Sequence, residues 1–243
     1  RARRALEAGK HLLLEKPIAL HADQARELQR LALAQGLSVA VDYEYRAVPL
    51  FMQAARLLQA GGVGTPWLVK LDWLMGSRAD PQRGWNWYAQ ADQGGGVIGA
   101  LGTHAVDMLA WLIGPLGAVQ ALNGVSIKQR PHPDGGLAAV DAPDVSLLQT
   151  VAHWQGRQDL PVPAQVSLSS VSRNGRGFCL DVVGSSGSLM LSSTNQKDYV
   201  HGFELQHAPL GEPFRAVEAD ADLAFPQTWT DGRIAPVVRV LGW

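Results

Sequence analysis

A short apolar run near the start of the chain ends in residues that could carry out acid–base chemistry. The run is Leu12–Leu14, and it is followed by Glu15, Lys16 and Pro17. The run predicts a short buried strand, and a partly buried lysine at its end can have its pKa lowered into a range that suits proton transfer. A cis bond before Pro17 would fix the direction of the lysine side chain. An ordinary surface lysine at the edge of a sheet is the alternative, and the residues alone leave both open.

A second acid–base candidate lies in the sequence "GTHAVD", where His104 and Asp107 are three residues apart. The surrounding pattern predicts a helix over residues 97–112, so the two side chains share one helical face. A carboxylate beside an imidazole fixes its tautomer and raises its pKa, which suits a general acid or base. A purely structural histidine is the alternative interpretation.

Other patterns in the chain favour structural interpretations. "GGGVIG" (Gly94–Gly99) matches G-x-G-x-x-G, but a polar segment rather than a strand precedes it, so we predict a turn leading into a helix. "VGSSGS" lacks the G-x-S-x-G spacing and predicts a hairpin turn. The remaining histidines lie singly, so no metal site is predicted. Trp85 and Trp87 are expected either to line a ligand site or to plug the core.

The elements that must position these residues fall into two parts. Residues 1–46 alternate between helix and strand, which is typical of a parallel sheet. Ligands of such sheets lie beyond the carboxyl ends of the strands. The two predicted strands end at Glu15–Pro17 and at Asp42–Arg46, so we expect both charged tips to face a ligand.

The rest of the chain predicts a different architecture. We place a domain boundary near Arg46, so that residues 47–243 form a second domain. Two helices with a strand at residues 66–76 between them are followed by six strand patterns, among them residues 118–129 and 187–193. These patterns predict an α+β domain with a large, mostly antiparallel open sheet covered by helices on one face. Residues 130–144 are predicted to form a surface loop, and a last helix is expected after Pro236.

Composition excludes several classes of function. The 243 residues are 47% hydrophobic and 18% charged, with a net charge of −1, so neither nucleic acid nor a membrane surface is indicated as a partner. No apolar run approaches the roughly 20 residues of a membrane span. Cys179 is the only cysteine, so no disulfide can form within the chain. A cytoplasmic location is the simplest expectation.

Four motifs, taken in order, resemble the Gfo/Idh/MocA family of NAD(P)-dependent oxidoreductases. "AGKHLLLEKPIA" resembles the family's segment around Glu-Lys-Pro, and "VDYEYRAVP" resembles its strand tip ending in Tyr-Arg. "LLQAGGVGTPWLV" and "GGGVIGALGTHAVDMLAWLIG" resemble the later helix–strand and Gly-rich helix motifs. The combination is specific, although no single motif would be.

The resemblance implies a Rossmann domain followed by a substrate and oligomerisation domain. It implies hydride transfer between NAD or NADP and a hydroxyl carbon of a sugar, inositol or related polyol, in a homo-oligomer (dimer or tetramer) formed through the open sheet. Lys16 and His104 then match the catalytic positions. The cofactor side is expected to comprise Glu15, Lys16, Pro17, Tyr43 and Arg46. The substrate side is expected to comprise Trp85, Trp87, Thr103, His104 and Asp107.

Two departures from the family pattern leave an alternative open. The Gly-rich phosphate loop would precede Arg1, so we interpret the chain as a fragment that binds NAD(P) poorly by itself. Ala100 stands where many members have an aspartate, so the usual Lys-Asp-His set is incomplete. A non-catalytic sugar-binding or regulatory homologue of the same fold is therefore the second hypothesis.

Overall fold

Two short parallel strands form the sheet of the first part of the structure. The structure is a computed structural model and describes residues 1–195, 201–227 and 229–243. Helix α1 (Ala2–Glu7), strand β1 (Leu12–Glu15), helix α2 (Ala22–Ala34) and strand β2 (Val39–Asp42) follow in the predicted order. The register places Glu15 opposite Asp42, so the charged tips of both strands lie side by side, as predicted.

Strand β1 is less buried than its sequence predicted. Leu13 is 37% exposed, and Leu12 and Leu14 are only half-buried. Within the described residues β1 pairs with β2 alone, and one face of this small sheet is left uncovered. The apolar run therefore identified the strand correctly but overestimated its burial.

The second part is built on an eight-stranded sheet. The strands after β2 are β3 (Pro66–Leu74), β4 (Leu116–Gly124), β5 (Gln129–Pro131), β6 (Leu137–Ala139), β7 (Val145–His153), β8 (Pro161–Ser169), β9 (Gly177–Gly184), β10 (Gly187–Ser193), β11 (Glu204–Pro209) and β12 (Arg215–Val217). The order in the large sheet is β12-β11-β10-β9-β3-β8-β7-β4. Among the described strands of this sheet, β3 and β8 are the one parallel pair, which confirms a mostly antiparallel sheet.

Two predictions about this region were wrong in detail. The strand expected over residues 118–129 is divided between β4 and β5, and the expected loop at 130–144 contains β6, which pairs with β5 in a hairpin. Strand β12 was not predicted, because three residues give too short a pattern. The turn at Ser185–Ser186 links β9 to β10, which confirms that "VGSSGS" is a hairpin turn.

Three helices complete the fold: α3 (Pro49–Gln59), α4 (Thr103–Leu112) and α5 (Ile234–Leu241). Helix α3 packs against β10 and β11, and α4 packs against β4, so one face of the large sheet is covered as predicted. Helix α5 begins two residues before Pro236, contrary to the predicted start. Proline is tolerated there because the first N–H groups of a helix have no intrahelical acceptor.

A turn of π-helix, Ile98–Gly102, leads into α4. Before it, Gly94 and Gly96 adopt left-handed conformations (φ of 71° and 72°). A side chain at Gly96 would meet the carbonyl oxygen of Pro143 at 2.3 Å. No strand lies between the end of β3 at Leu74 and this segment, so the predicted turn into a helix is confirmed. The segment lacks the preceding strand that a phosphate-binding fingerprint requires.

The stretch Ala91–Leu112 has the length and apolar composition of a membrane-spanning helix, contrary to the expectation from sequence. However, 56% of its most apolar window is buried inside the protein. It is also interrupted by the left-handed glycines and the π turn. This stretch therefore behaves as a core element of a folded domain.

An aromatic cluster joins the two parts of the structure. Tyr45 follows β2 and packs against Trp73 of β3 and Phe51 of α3, with ring centroids 5.4 and 5.5 Å apart. Phe178 and Phe203 complete the cluster in edge-on contacts, Phe178 with Trp73 at 5.3 Å and Phe203 with Phe51 at 4.8 Å. Such pairs add to the stabilisation gained from burial alone. The tip of β2 is therefore held against the core of the large sheet.

Truncation of a side chain in this cluster should lower the free energy of unfolding of the protein. Phe178→Ala removes a side chain that is 2% exposed and leaves a cavity, so we expect a loss of about 3–5 kcal/mol in the free energy of unfolding. Phe214→Ala is the matched control, since Phe214 is 47% exposed and should cost less than about 1 kcal/mol. Equal losses in urea denaturation of the two variants would contradict this account of the core.

Candidate active site

The carboxyl ends of β1 and β2 open into a cleft of about 820 Å³. The opposite walls are the π turn, α4, the loop after β3 and the N-terminal half of α5. Four residues predicted for the site line this cleft: Glu15, Lys16, Trp87 and His104. The sequence therefore located the cleft, which is lined by residues as far apart in the chain as Glu15 and Val238.

Lys16 lies in the turn that follows β1, and its peptide bond to Pro17 is cis, as the sequence suggested. The Lys16 Nζ donates a hydrogen bond to the carbonyl oxygen of Ala100 at 2.7 Å. Burial lowers the pKa of Lys16, while the nearby carboxylates of Glu44 and Glu15 partly restore it. The lowered pKa predicted for this lysine is confirmed in direction, and the cause is loss of hydration.

Glu44 was not singled out from the sequence, although it lies within the predicted ligand-facing tip at Asp42–Arg46. It begins a single 3₁₀ turn, Glu44–Ala47, and is 9% exposed. Burial raises the pKa of Glu44 to about 7, and the charge of Asp42 adds to the effect while Lys16 opposes it. Glu44 can therefore hold or release a proton near neutral pH. Its place after a predicted strand was the one signal for it.

His104 is 5% exposed and lies beside the Glu44 carboxyl, with 3.9 Å between Nδ1 and Oε2. Rings of Tyr45 and Tyr43 meet it edge-on, with centroids 5.0 and 5.8 Å away. Burial, and secondarily the positive charge of Lys16, lowers the pKa of His104 to about 3. The imidazole is therefore neutral at physiological pH.

The expectation that Asp107 orients His104 and raises its pKa was wrong. Both carboxylate oxygens of Asp107 instead accept hydrogen bonds from Arg46, at 2.7 and 2.8 Å. The bidentate geometry of a guanidinium matches a carboxylate better than an imidazole does. Arg46 and Asp107 thus tie the 3₁₀ turn after β2 to helix α4 and hold Glu44 against His104.

Trp85 and Thr103, which were also predicted for the site, make their hydrogen bonds outside the cleft. Trp85 donates a hydrogen bond from Nε1 to the carbonyl oxygen of Ala139 and packs on His132, so it supports the β5–β6 hairpin. The Thr103 hydroxyl donates to the carbonyl oxygen of Gly99, one turn earlier. Neither side chain is among the described residues that line the cleft. Of the two tryptophans, Trp87 has the position expected of a ligand contact.

This architecture recurs in solved oxidoreductase structures. Levoglucosan dehydrogenase in complex with NADH and L-sorbose matches with a TM-score of 0.82 at 22% identity. The match covers 98% of this chain and 64% of that one. At this level of identity the likeness establishes the fold alone, a short parallel sheet followed by a large, mostly antiparallel sheet.

Family models then identify the chain more closely. The model for the GFO/IDH/MocA C-terminal domain matches residues 51–190, and the model for the oxidoreductase family, NAD-binding Rossmann fold, matches residues 1–43. Because the first covers more than half of the sequence, the chain belongs to the Gfo/Idh/MocA family. The resemblance inferred from the four motifs is confirmed.

Two relatives show how much of a longer protein this chain represents. An uncharacterized oxidoreductase of Synechocystis sp. is 45% identical over 243 residues, which is 99% of this chain and 64% of that protein. Levoglucosan dehydrogenase of Pseudarthrobacter phenanthrenivorans is 29% identical over 137 residues, which is 56% of this chain and 35% of that protein. The chain thus spans slightly less than two thirds of the length of its Synechocystis relative.

The raised pKa of Glu44 predicts a specific pH dependence of stability. The folded-state pKa of Glu44, about 7, exceeds the ordinary value of 4.5. The free energy of unfolding of the wild-type protein therefore falls as the pH rises between these two values, because the unfolded state releases this proton first. Glu44→Gln removes that loss. The variant's stability relative to wild type should therefore rise by about 1–3 kcal/mol between pH 5 and pH 8.

Chemical denaturation at the two pH values measures this difference. Glu204→Gln, at an exposed position on β11, is the matched control and should show the same offset from wild type at both pH values. An offset for Glu44→Gln that does not change with pH would contradict the assignment.

Proposed function

We propose that the complete protein is an NAD(P)-dependent oxidoreductase that transfers a hydride between the nicotinamide and a hydroxyl carbon of a sugar, inositol or related polyol. The observation that carries the proposal is the pairing of Lys16, which has a lowered pKa, with a buried neutral histidine in one cleft at the ends of parallel strands. Residues 1–46 would belong to the cofactor domain and residues 47–243 to the substrate domain. A cytoplasmic location is part of the proposal.

The residues present fit a nicotinamide cofactor. Asp42 Oδ1 and His104 Nδ1 are among the buried polar atoms without a hydrogen-bond partner in the described part of the chain, so polar ligand groups could satisfy them. Glu15 and Lys16 would hold the cofactor from the end of β1. Pro17, Tyr43 and Arg46, predicted for the same side, are not among the described residues that line the cleft, and Arg46 is held by Asp107. When bound, the cofactor supplies the group that accepts or donates the hydride.

Lys16 would handle the proton of the reacting hydroxyl. Its ammonium group has three donors, of which one is used by the carbonyl oxygen of Ala100. Since burial lowers the pKa of Lys16, its Nζ gives up a proton more readily than a surface lysine does. The hydrogen bond to Ala100 holds Nζ at a defined point of the cleft.

His104 would bind and orient the same hydroxyl. A neutral imidazole can accept a hydrogen bond from the hydroxyl at one ring nitrogen and donate one at the other. Glu44, beside His104, would accept or return a proton, because its pKa of about 7 allows both states near neutrality. Trp87, 53% exposed on the cleft wall, offers an apolar face to a sugar ring.

Loss of the Lys16 amine should lower turnover with little effect on folding. In the full-length natural protein we expect Lys16→Ala to reduce kcat by roughly 10²-fold or more, as for removal of a general acid or base. Lys10→Ala, in the exposed turn after α1, is the matched control. Steady-state rates of NAD(P)⁺ reduction measure the effect, and unchanged turnover in Lys16→Ala would remove the proposed role.

A non-catalytic sugar-binding or regulatory homologue is the second candidate, and Ala100 is the observation that favours it. At this position the chain has a methyl group on the cleft wall instead of a carboxylate. That function would give ligand-dependent thermal stabilisation without any reduction of NAD(P)⁺ across a broad polyol panel. Restored turnover in Ala100→Asp would then identify a decayed active site.

We also propose that the uncovered face of the large sheet forms a homo-oligomer. Two cross-strand pairs expose apolar side chains on this face: Leu68 with Val183, and Leu122 with Leu147. Exposed apolar patches of this kind mark interaction surfaces. Light scattering should detect dimers or tetramers, and Leu122→Asp should shift them toward monomer. A strict monomer at high concentration would count against this interface.

A further inference from the structure

Arg78 is a cleft residue that the proposed chemistry does not use. It lies in the loop after β3 and lines the cleft together with Ser77, Trp87 and Tyr88. Its guanidinium carbon lies 4.2 Å from the centre of the Tyr88 ring. Stacking on an aromatic face leaves the N–H edges of a guanidinium available to a ligand.

The backbone of Arg78 is held at both its polar groups. Its N–H donates to the carbonyl oxygen of Ser170 at 2.8 Å, and its carbonyl oxygen accepts from Arg130 Nη2 at 2.6 Å. Arg130 is 6% exposed and also donates to the carbonyl oxygen of Asp80 at 2.8 Å. The loop therefore presents Arg78 in a defined orientation, which lowers the entropy cost of binding a ligand there.

Arginines outnumber carboxylates around this loop, in which Asp80 is the one acidic residue. Arg83, Arg130 and Arg173 each donate to backbone carbonyl oxygens of residues 77–83. For these three arginines and for Arg78, the described part of the chain provides no carboxylate within ion-pair distance. By contrast, Arg233 on the same cleft wall is paired with Asp231 at 2.7 Å. Arg78 is thus a half-buried cation whose charge is uncompensated.

Burial, and secondarily the charge of Arg83, lowers the pKa of Arg78. A guanidinium remains charged in proteins even so, and its charge here is costly without a counterion. An anionic ligand would supply one. Carboxylates and phosphates match the planar, bidentate geometry of arginine.

The opposite charge surrounds the proposed reacting centre. Glu15, Asp42 and Glu44 lie near Lys16, so an anionic group would be repelled from that region and attracted to Arg78. We propose that the substrate is an acidic sugar derivative whose carboxylate or phosphate binds Arg78 while its reacting hydroxyl lies at Lys16. This inference rests on the proposed function, which by itself leaves the charge of the substrate open.

The test compares neutral and anionic forms of the same sugars with the full-length natural protein. The panel comprises glucose, galactose and mannose, with the uronate and the 6-phosphate of each. Turnover with NAD⁺ and NADP⁺ and the shift in Tm on ligand addition are both measured. At least one anionic form should exceed its neutral parent by roughly 10- to 100-fold in kcat/KM, and the better of uronate and phosphate identifies the anion.

Arg78→Gln should lower the preference for the anionic form over its parent by roughly 10- to 100-fold, mainly through KM, as expected for a lost charged hydrogen bond. Arg78→Lys should retain part of the preference, because the charge is kept but the bidentate geometry is lost. Arg215→Gln is the control, since this exposed arginine lies on the edge strand β12. It should leave the preference unchanged.

The outcomes separate this inference from the proposed function. The inference of an acidic substrate is wrong if neutral sugars are turned over preferentially. It is also wrong if the preference for the anionic form is unchanged in Arg78→Gln. Either result is compatible with the proposed oxidoreductase function. Binding of an anionic sugar that depends on Arg78, without turnover, supports the inference and rejects the enzymatic function. A panel in which no anionic sugar binds or is turned over also overturns the inference.

Discussion

The position of the proposed proton-transfer group depends on one hydrogen bond, from Lys16 Nζ to the carbonyl oxygen of Ala100. It joins the end of β1 to the π turn before α4, across 84 positions of sequence. A regular α-helix uses its carbonyl oxygens internally, whereas π turns disturb that pattern and are frequent at functional sites. Here the carbonyl of Ala100 takes a partner from another element. A buried ammonium group without such an acceptor would carry a large desolvation cost.

Burial also determines the electrostatics of the neighbouring side chains. Loss of hydration moves the pKa of Glu44 up to about 7 and that of His104 down to about 3. Both shifts favour the neutral form, so the two side chains can lie 3.9 Å apart without an ion pair at neutral pH. The bidentate pair of Arg46 and Asp107 stabilises the turn that brings them together. Burial and proximity therefore determine the protonation states of Glu44 and His104, and a histidine–aspartate pair on one helix does not.

Much of the fold could be predicted because its signals are local. Periodicity identified the two parallel strands, the covering helices and most strands of the large sheet, and the strand β10 was predicted with its observed ends. Short elements were missed, since three-residue strands such as β6 and β12 carry almost no pattern. Helix α5 starts before Pro236 because the first turn of a helix tolerates proline. The burial of β1 was overestimated because burial depends on which elements cover a strand.

The sequence by itself determined the family, the order of the longer elements and the location of the candidate site at the ends of β1 and β2, because motifs and the parallel-sheet rule are readable from residue types and spacing. It could not determine which side chains meet. Sequence spacing predicted that Asp107 lies next to His104. In the folded structure Asp107 instead pairs with Arg46, and Glu44 lies beside the imidazole. Arg78 became visible only when folding brought it to the cleft wall. Such pairings and the pKa shifts that follow depend on burial and on contacts between distant residues, which only the tertiary structure decides.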